Sequence, residues 1–431
     1  MKPLLPACCV ALALTSCVIA KDAYAPPTST GARAAAPARA AHFQSERRWG
    51  ALSDTRWEPT VAAEPDSSWV YQLTTNQHKD YLLFRASSNG GRTWEPSRLI
   101  CRHGTRVPFQ YDPQLAAIDG GIVDAVCLNG FRPGVVFAKS RDHGRTWSRS
   151  IRLDRPRRYS DKGILAVSLS GRDVYVAFNS YNALFVATSH DGGTTWQAPL
   201  KATTANRWYY PYNAAVAPDG SVWFAVGGES GHDQTGNARE ELVTSADGGK
   251  TWRTILFAVS HEGAPCTLHN CYPDFFTAQD AIAVDRGGHY VFVFAKNESK
   301  QGPNSLYVSR SNDGVRWSTP SLLNARGNNT SPALAAGVAA GDFRLIWQDN
   351  RNGMHAWNTW YARSRDGGAS WSRALRLSDR GSGASYKSAA GYYFPFGDYL
   401  GLAVGANGID YAIWGEGAAI YYPGGTWWTR D

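Results

Sequence analysis

Carboxylates recur at one kind of place along this chain. Glu58, Asp112, Asp161, Asn213, Asp280, Ser331 and Asp398 stand just ahead of short runs of small apolar residues, such as Gln114-Leu115-Ala116-Ala117 and Ala333-Leu334-Ala335-Ala336. Five of these seven residues are acids. A second set follows longer apolar runs: Glu229, Glu298, Asp349 with Arg351, and Glu416. Aromatic clusters accompany both, in Trp208-Tyr209-Tyr210-Pro211-Tyr212 and Tyr392-Tyr393-Phe394-Pro395-Phe396. Rings that stack on sugar C–H faces, beside acids that bond hydroxyls, suit carbohydrate. Hydrolysis of a glycosidic bond usually needs two carboxylates, one of them held protonated. Asp398, Asp112, Asp161, Glu416 and Asp349 are therefore the candidate catalytic residues. Arg351, Glu58, Asp280, Trp208, Tyr212 and Tyr393 are the candidate substrate-binding residues. A lyase acting beside a uronate carboxylate would want Tyr or His with a cation, and Tyr212, Tyr272 and His269 are of that type. Each acid also has a simpler use, capping the turn that starts a strand. The sequence does not divide these acids into proton donor, base and nucleophile.

The elements that must position these residues are marked by a repeated octet. Ser189-His190-Asp191-Gly192-Gly193-Thr194-Thr195-Trp196 has counterparts at 87–94, 140–147, 245–252 and 364–371, and a copy one residue short at 311–317. Six copies at intervals of roughly fifty to sixty-five residues indicate an array of similar units. Asp followed by Gly-Gly needs a tight turn with positive φ, which Gly adopts without a Cβ penalty. The Asp side chain accepts from backbone N–H groups just beyond it, and the Trp anchors the hairpin on apolar surface. Alternating apolar residues such as Leu184-Phe185-Val186-Ala187-Thr188 lead into each copy, so each octet is a hairpin turn.

The octet resembles the Asp-box, or bacterial neuraminidase repeat, of the sialidase superfamily. That resemblance implies an all-β fold, a single β-propeller of four-stranded antiparallel blades. It also implies that each box joins a blade's third and outermost strands on the rim away from the ligand face. The small-residue runs then become inner strands, and both acid sets fall on the ligand face, which the loops build. Seven such runs stand against six clear boxes, so seven blades are preferred and six are the alternative. Tyr421 to Trp428 reads as a worn seventh box. The chain ends at Asp431, too soon for another strand, so a segment near Trp49 to Trp57 is expected to lace the termini together in the last blade. Sialidases proper have six blades, a Tyr–Glu nucleophile pair, an Asp acid/base and three Arg. The first Arg motif is replaced here by Glu58-Pro59-Thr60, and Arg106-Val107-Pro108 comes after the first box. Arg157, Arg158 and Arg351 are possible anion contacts outside any such motif. The resemblance thus implies an exported carbohydrate-active propeller, a glycoside hydrolase acting on an extracellular or cell-surface glycan. Its alternatives are a non-catalytic glycan- or protein-binding propeller and a polysaccharide lyase.

Composition and the N-terminus bound these readings. Residues 1–20 read as a signal peptide, with Leu14-Thr15-Ser16-Cys17 resembling a bacterial lipobox in which Cys17 would be lipidated; cleavage after Ala20 or Ala25 is the alternative. Residues 21–48 read as an Ala/Pro-rich flexible tether and 49–431 as the propeller. The protein would be secreted, periplasmic or lipid-anchored, and monomeric. Cys101, Cys127, Cys266 and Cys271 allow three pairings, and proximity favours Cys101–Cys127 and Cys266–Cys271. No metal or other cofactor is implied. A net charge of +8 favours an anionic glycan or a cell surface. No basic block with interleaved aromatics points to nucleic acid.

Overall fold

A computed structural model describes residues 42–50, 56–76, 81–101, 109–130, 134–230, 236–263, 279–353, 357–378, 387–388, 391–392, 400–416 and 425–431. The leader, Cys17, Cys266, Cys271, His269, Tyr272, Tyr393 and Asp398 lie outside them.

Seven antiparallel sheets of four strands make seven blades. From the inner strand outwards, blade 1 is Thr60–Ala63, Val70–Asn76, Tyr81–Ser87 and Arg98–Leu99. Blade 2 is Gln110–Ile118, Ile122–Asn129, Gly134–Ser140 and Ile151–Arg152. Blade 3 is Asp161–Val167, Val174–Asn179, Leu184–Ser189 and Leu200–Lys201. Blade 4 is Trp208–Val216, Val222–Glu229, Ala238–Ser245 and Arg253–Ser260. Blade 5 is Asp280–Val284, Tyr290–Asn297, Asn304–Ser311 and Ser321–Asn324. Blade 6 is Asn329–Ala336, Phe343–Asp349, Asn358–Ser364 and Leu375–Arg376. Blade 7 takes Leu400–Val404, Asp410–Glu416 and Gly425–Arg430 from one end of the chain and Arg47–Arg48 from the other. In its register Arg47 faces Trp428 and Arg48 faces Trp427. The Gln44 and Trp49 N–H groups add bonds to the Arg430 and Thr426 carbonyls, both 2.9 Å. Neighbouring inner strands touch around the whole circle, blade 7 against blade 1.

The second strands are buried on both faces, as in Val174-Tyr175-Val176-Ala177-Phe178-Asn179. Such strands read as continuous apolar runs because each is covered by the blades on either side. The inner strands are rich in Ala because the axis is crowded. They enclose a cavity of about 290 Å³ lined by residues such as Thr60, Leu115, Ala166, Ala214 and Leu334.

Each box closes the turn after a third strand, as its spacing predicts. Asp191 Oδ1 accepts from the Thr194 and Thr195 N–H groups at 3.0 and 2.8 Å, and its Oδ2 accepts from the Thr195 hydroxyl at 2.6 Å. These bonds, the Thr195 hydroxyl first, hold the Asp191 carboxyl down at about 2. Trp196 Nε1 donates to the Gly193 carbonyl at 3.0 Å, and its ring meets Phe137 of blade 2 edge-on at 5.0 Å. Gly193 has φ +80°, and a Cβ there would lie 2.5 Å from the Phe137 ring. The box is thus a clasp onto the preceding blade, not only a turn. A Cβ on Gly144 would overlap the Phe84 ring of blade 1 in the same way.

The expected seventh box is corrected. Trp427 and Trp428 lie inside the third strand of blade 7, whose first residue pairs with Glu416. Gly425, the second of the two glycines, is the first residue of that strand, at the opposite end from a box. Trp428 instead fills the place of Phe84 and Phe137: it receives Trp94 of the blade 1 box edge-on at 5.3 Å. The outer place of this blade is filled by Arg47–Arg48, from the N-terminal side of the chain.

Two outcomes follow for stability. Gly193→Ala adds both a strained φ and an overlap with Phe137, and should cost about 1–3 kcal/mol in denaturant unfolding. An unchanged midpoint would refute the clasp. Asp191→Asn should lower Tm at neutral pH. The depressed carboxyl stabilises the fold above its unfolded pKa and loses that contribution as pH falls through its folded value, so the gap to wild type should close between about pH 4 and 2. A gap that persists at pH 2 would contradict the assignment.

Candidate functional site

In antiparallel blades the turns joining second to third strands lie on the same face as the connections entering inner strands. The boxes lie on the other. On the first face, the last residue of every second strand is an amide or an acid: Asn76, Asn129, Asn179, Glu229, Asn297, Asp349 and Glu416. All are buried. Amides here hold the chain where it enters inner strands, of their own blade or of the next. Asn129 Nδ2 donates to the Cys101 carbonyl at 3.0 Å, and Asn179 Nδ2 donates to those of Tyr181 and Tyr209 at 3.0 and 2.6 Å. The disulfide expected between Cys101 and Cys127 is present and ties down the same connection.

Two of the candidate acids occupy this position. Asp349 accepts from Trp347 Nε1 at 2.8 Å and from Arg351 Nε at 2.9 and 3.0 Å, and the Arg351 guanidinium lies 3.9 Å over the Trp360 ring. Asp349 is fully buried, and Arg351 is already committed to it. Glu416 accepts from Trp414 Nε1 at 2.8 Å. Glu229 is buried at the same point of blade 4, and Glu298, one residue beyond it in blade 5, bonds Lys296 Nζ and Tyr307.

The residues entering the inner strands form the mouth of the central channel. Glu58, Asp112, Lys162 and Ser331 all have positive φ, 52°, 47°, 48° and 52°. In blades 2, 3 and 6 the pairing register breaks at this point. Each precedes a Pro or Gly: Glu58-Pro59, Asp112-Pro113, Lys162-Gly163 and Ser331-Pro332. A left-handed non-Gly residue is costly, and such strain clusters where a side chain has to be aimed. The side chains bridge blades: Glu58 Oε2 accepts the Asp112 N–H at 3.0 Å, Gln279 Oε1 the Ser331 N–H, and Asn213 Oδ1 the Ile282 N–H at 2.8 Å.

Across blades 2 to 4 this arrangement gathers acids, a lysine and aromatic rings. Asp161 accepts from its neighbour's backbone, Lys162 N, at 2.9 Å and from the Tyr159 hydroxyl at 3.2 Å, and its carboxyl is hydrogen-bonded to that of Asp112. Desolvation raises the Asp161 pKa above the usual carboxylate value, against the Lys162 charge and these bonds. Two acids in contact hold one proton more readily than none. Lys162 Nζ lies 4.8 Å from the Tyr210 ring and 5.2 Å from that of Tyr212. Burial, then the charges of Asp161 and Glu229, push the Tyr210 hydroxyl well above its ordinary value, so it stays protonated. Trp208 is 6.0 Å from Tyr210 and 6.1 Å from Tyr159, and Tyr159 is 5.4 Å from Tyr181.

Asp280 sits apart from this group. It is buried between blades 4 and 5 against Glu240, whose carboxyl burial pushes up to about 7 and which accepts the Ser260 hydroxyl at 2.5 Å. Asp280 is raised further, by burial and then by Glu240. The structure therefore brings Glu58, Asp112, Asp161, Trp208 and Tyr212 to one side of the mouth, and places Asp280, Asp349 with Arg351, and Glu416 elsewhere. Lys162, Tyr159 and Tyr181 were missed. Lys162 was legible: aligning Lys162-Gly163 with Glu58-Pro59 and Asp112-Pro113 puts the lysine, not Asp161, in the equivalent position. The amide positions were legible too, as the residue ending each second-strand run.

Comparison with known proteins agrees with the fold. The model of the BNR repeat-like domain matches residues 37–284. A curated sialidase of Bacteroides fragilis is 23% identical over 331 residues, 74% of this chain and 53% of that protein. The chain thus spans about half the length of that relative. Among solved structures, a PL25 ulvan lyase bound to -[GlcA(1-4)Rha3S]- superposes with a TM-score of 0.57 at 10% identity, over 88% of this chain and 95% of that one. The Hadza microbial sialidase Hz136 gives a TM-score of 0.49 at 15% identity, over 84% of this chain and 76% of that one. The chain belongs to the BNR repeat-like domain family and is an Asp-box propeller of the sialidase superfamily.

Proposed function

We propose that this propeller is an exported carbohydrate-active enzyme, a glycoside hydrolase whose site is the mouth over blades 2 to 4. The observation that carries the reading is the Asp112–Asp161 pair set among Trp208, Tyr212 and Tyr159. Asp161, raised by desolvation, supplies the proton to a glycosidic oxygen, and Asp112 shares that proton while Tyr159 orients the carboxyl. Their direct hydrogen bond brings the two carboxyls closer than the roughly 5–5.5 Å that separates acid from nucleophile in retaining enzymes. They act as one acid, so the opposite group comes from another part of the mouth. Asp398, at the matching sequence position of blade 7, is the candidate for it. Trp208 and Tyr212 offer faces for sugar rings, and Lys162 offers a cation beside them. The family membership and the likeness to a sialidase support a glycan as partner. The Cys101–Cys127 disulfide supports export, since such bonds persist in oxidising compartments.

One observation favours a second reading. The cation of Lys162 beside Tyr212 is what a lyase needs to neutralise a uronate carboxylate and remove the adjacent proton. Screening purified protein against sialosides, neutral glycans and uronate polysaccharides separates the two: a hydrolase releases reducing ends alone, and a lyase also leaves an ultraviolet-absorbing unsaturated sugar. With the active glycan in hand, Asp161→Asn should lower turnover by about a hundred- to ten-thousand-fold with Tm unchanged. Turnover of the wild type should fall as pH rises through the raised Asp161 pKa, because the donor is then ionised. Asp349→Ala should instead leave Arg351 and Trp347 unpaired and cost about 3 kcal/mol of stability. Inactivity on every glycan, with glycan binding intact in Asp161→Asn, would leave a binding propeller and end the enzyme reading.

A further inference from the structure

Beside the mouth, on the outer part of blade 3, lies a groove of about 730 Å³, within the roughly 300–1,000 Å³ of small-ligand clefts. Arg157 and Arg158 come from the connection entering the blade, Lys201 from its outer strand, and Tyr181 from the turn between its second and third strands. No Asp or Glu lines it. Among the described residues none of the three cations takes part in an ion pair. The nearby carboxylate is already engaged: Asp154 is buried against Arg152 and accepts the Ser160 hydroxyl at 2.7 Å.

Arg157 is built into the wall rather than left in solvent. Its guanidinium lies 4.5 Å from the Phe185 ring, and its Nε is buried with no hydrogen-bond acceptor. The Arg157 guanidinium has no acidic partner among the described residues, and an oxyanion in the groove would supply one. Tyr181 supplies the second feature. It is 53% exposed and held at φ 54°, a strained conformation for an aromatic residue, with its carbonyl fixed by Asn179 at 3.0 Å. Its ring stands 5.4 Å from Tyr159, whose hydroxyl bonds Asp161. The groove is therefore joined to the acid pair by a run of aromatic surface.

We propose that this groove is an anion-binding subsite for an acidic glycan. It takes a sulfate ester or a uronate carboxylate on a sugar next along the chain from the bond that Asp161 serves, with Tyr181 as the stacking face between. Arginine's planar fork suits either oxyanion. The proposal rests on the glycan reading of the mouth, and it narrows the substrate to polyanionic polysaccharides.

The test is calorimetric binding by the full chain to dextran sulfate, hyaluronan, neutral dextran and a single-stranded oligonucleotide, at two salt concentrations. Dextran sulfate carries only sulfate and hyaluronan only carboxylate, so preference between them names the anion. At least one should bind about tenfold or more tightly than dextran, and Arg158→Ala/Lys201→Ala should erase that preference with Tm unchanged. Anionic glycans that bind the double variant as they bind wild type would overturn the proposal. So would an oligonucleotide that binds as tightly, with the same salt dependence, since that is unspecific attraction to a polyanion. Asp161→Asn should keep the anion preference. An Asp161→Asn protein that keeps its turnover, while Arg158→Ala/Lys201→Ala loses the preference, sinks the mouth reading alone; one that loses turnover, while the double variant keeps the preference, sinks the subsite alone.

Discussion

The second glycine of a box lies against a side chain of the preceding blade, and no side chain can be added there without moving one or the other. At Gly193 that side chain is Phe137, and at Gly144 it is Phe84. The contact fixes how far apart consecutive blades stand on the box face. On the opposite face the spacing is held by polar side chains, Glu58 reaching the Asp112 backbone and Asn213 that of Ile282. With both faces pinned, the connections entering the inner strands have little freedom, and strained residues can be held at the mouth.

That double pinning explains why so many acids on the ligand face are not free for chemistry. A buried carboxylate has to be paired or hydrogen-bonded. Asp349 meets the requirement with Arg351 and Trp347, and Glu416 with Trp414. Asp280 is instead pushed toward its neutral form, by burial and then by Glu240 beside it. The pair of Asp112 and Asp161 differs in its surroundings: aromatic rings and Lys162 stand beside it, and the strained backbone at Asp112 and Lys162 aims the side chains across the mouth. The same physics that staples blades elsewhere here produces an acid within reach of a ligand.

The fold was legible in the sequence because the box combines a backbone demand with an anchoring ring, and few other patterns need both. The blade count was legible from the inner runs. The reading of 421–428 as a box went wrong because Gly before Trp can equally start a strand, and only the pairing of Gly425 with Glu416 tells the two apart. The site was half legible. Sequence position put Asp112 and Asp161 near the axis, yet it put Asp280 there too and Asp349 in the loops of the same face. What separates them is burial and partners across blades, such as Asp280 with Glu240, forty residues earlier in the chain. Asx turns leave a local signature; contacts between blades do not.

The central claim is that a glycan is bound and acted on over blades 2 to 4. A crystal structure of the inactive Asp161→Asn protein with an oligosaccharide of the glycan it processes tests this most directly. The account predicts the glycosidic oxygen within hydrogen-bond distance of residue 161, with sugar rings against Trp208 and Tyr212. A glycan seated over blades 5 to 7, out of reach of residues 112 and 161, would contradict it.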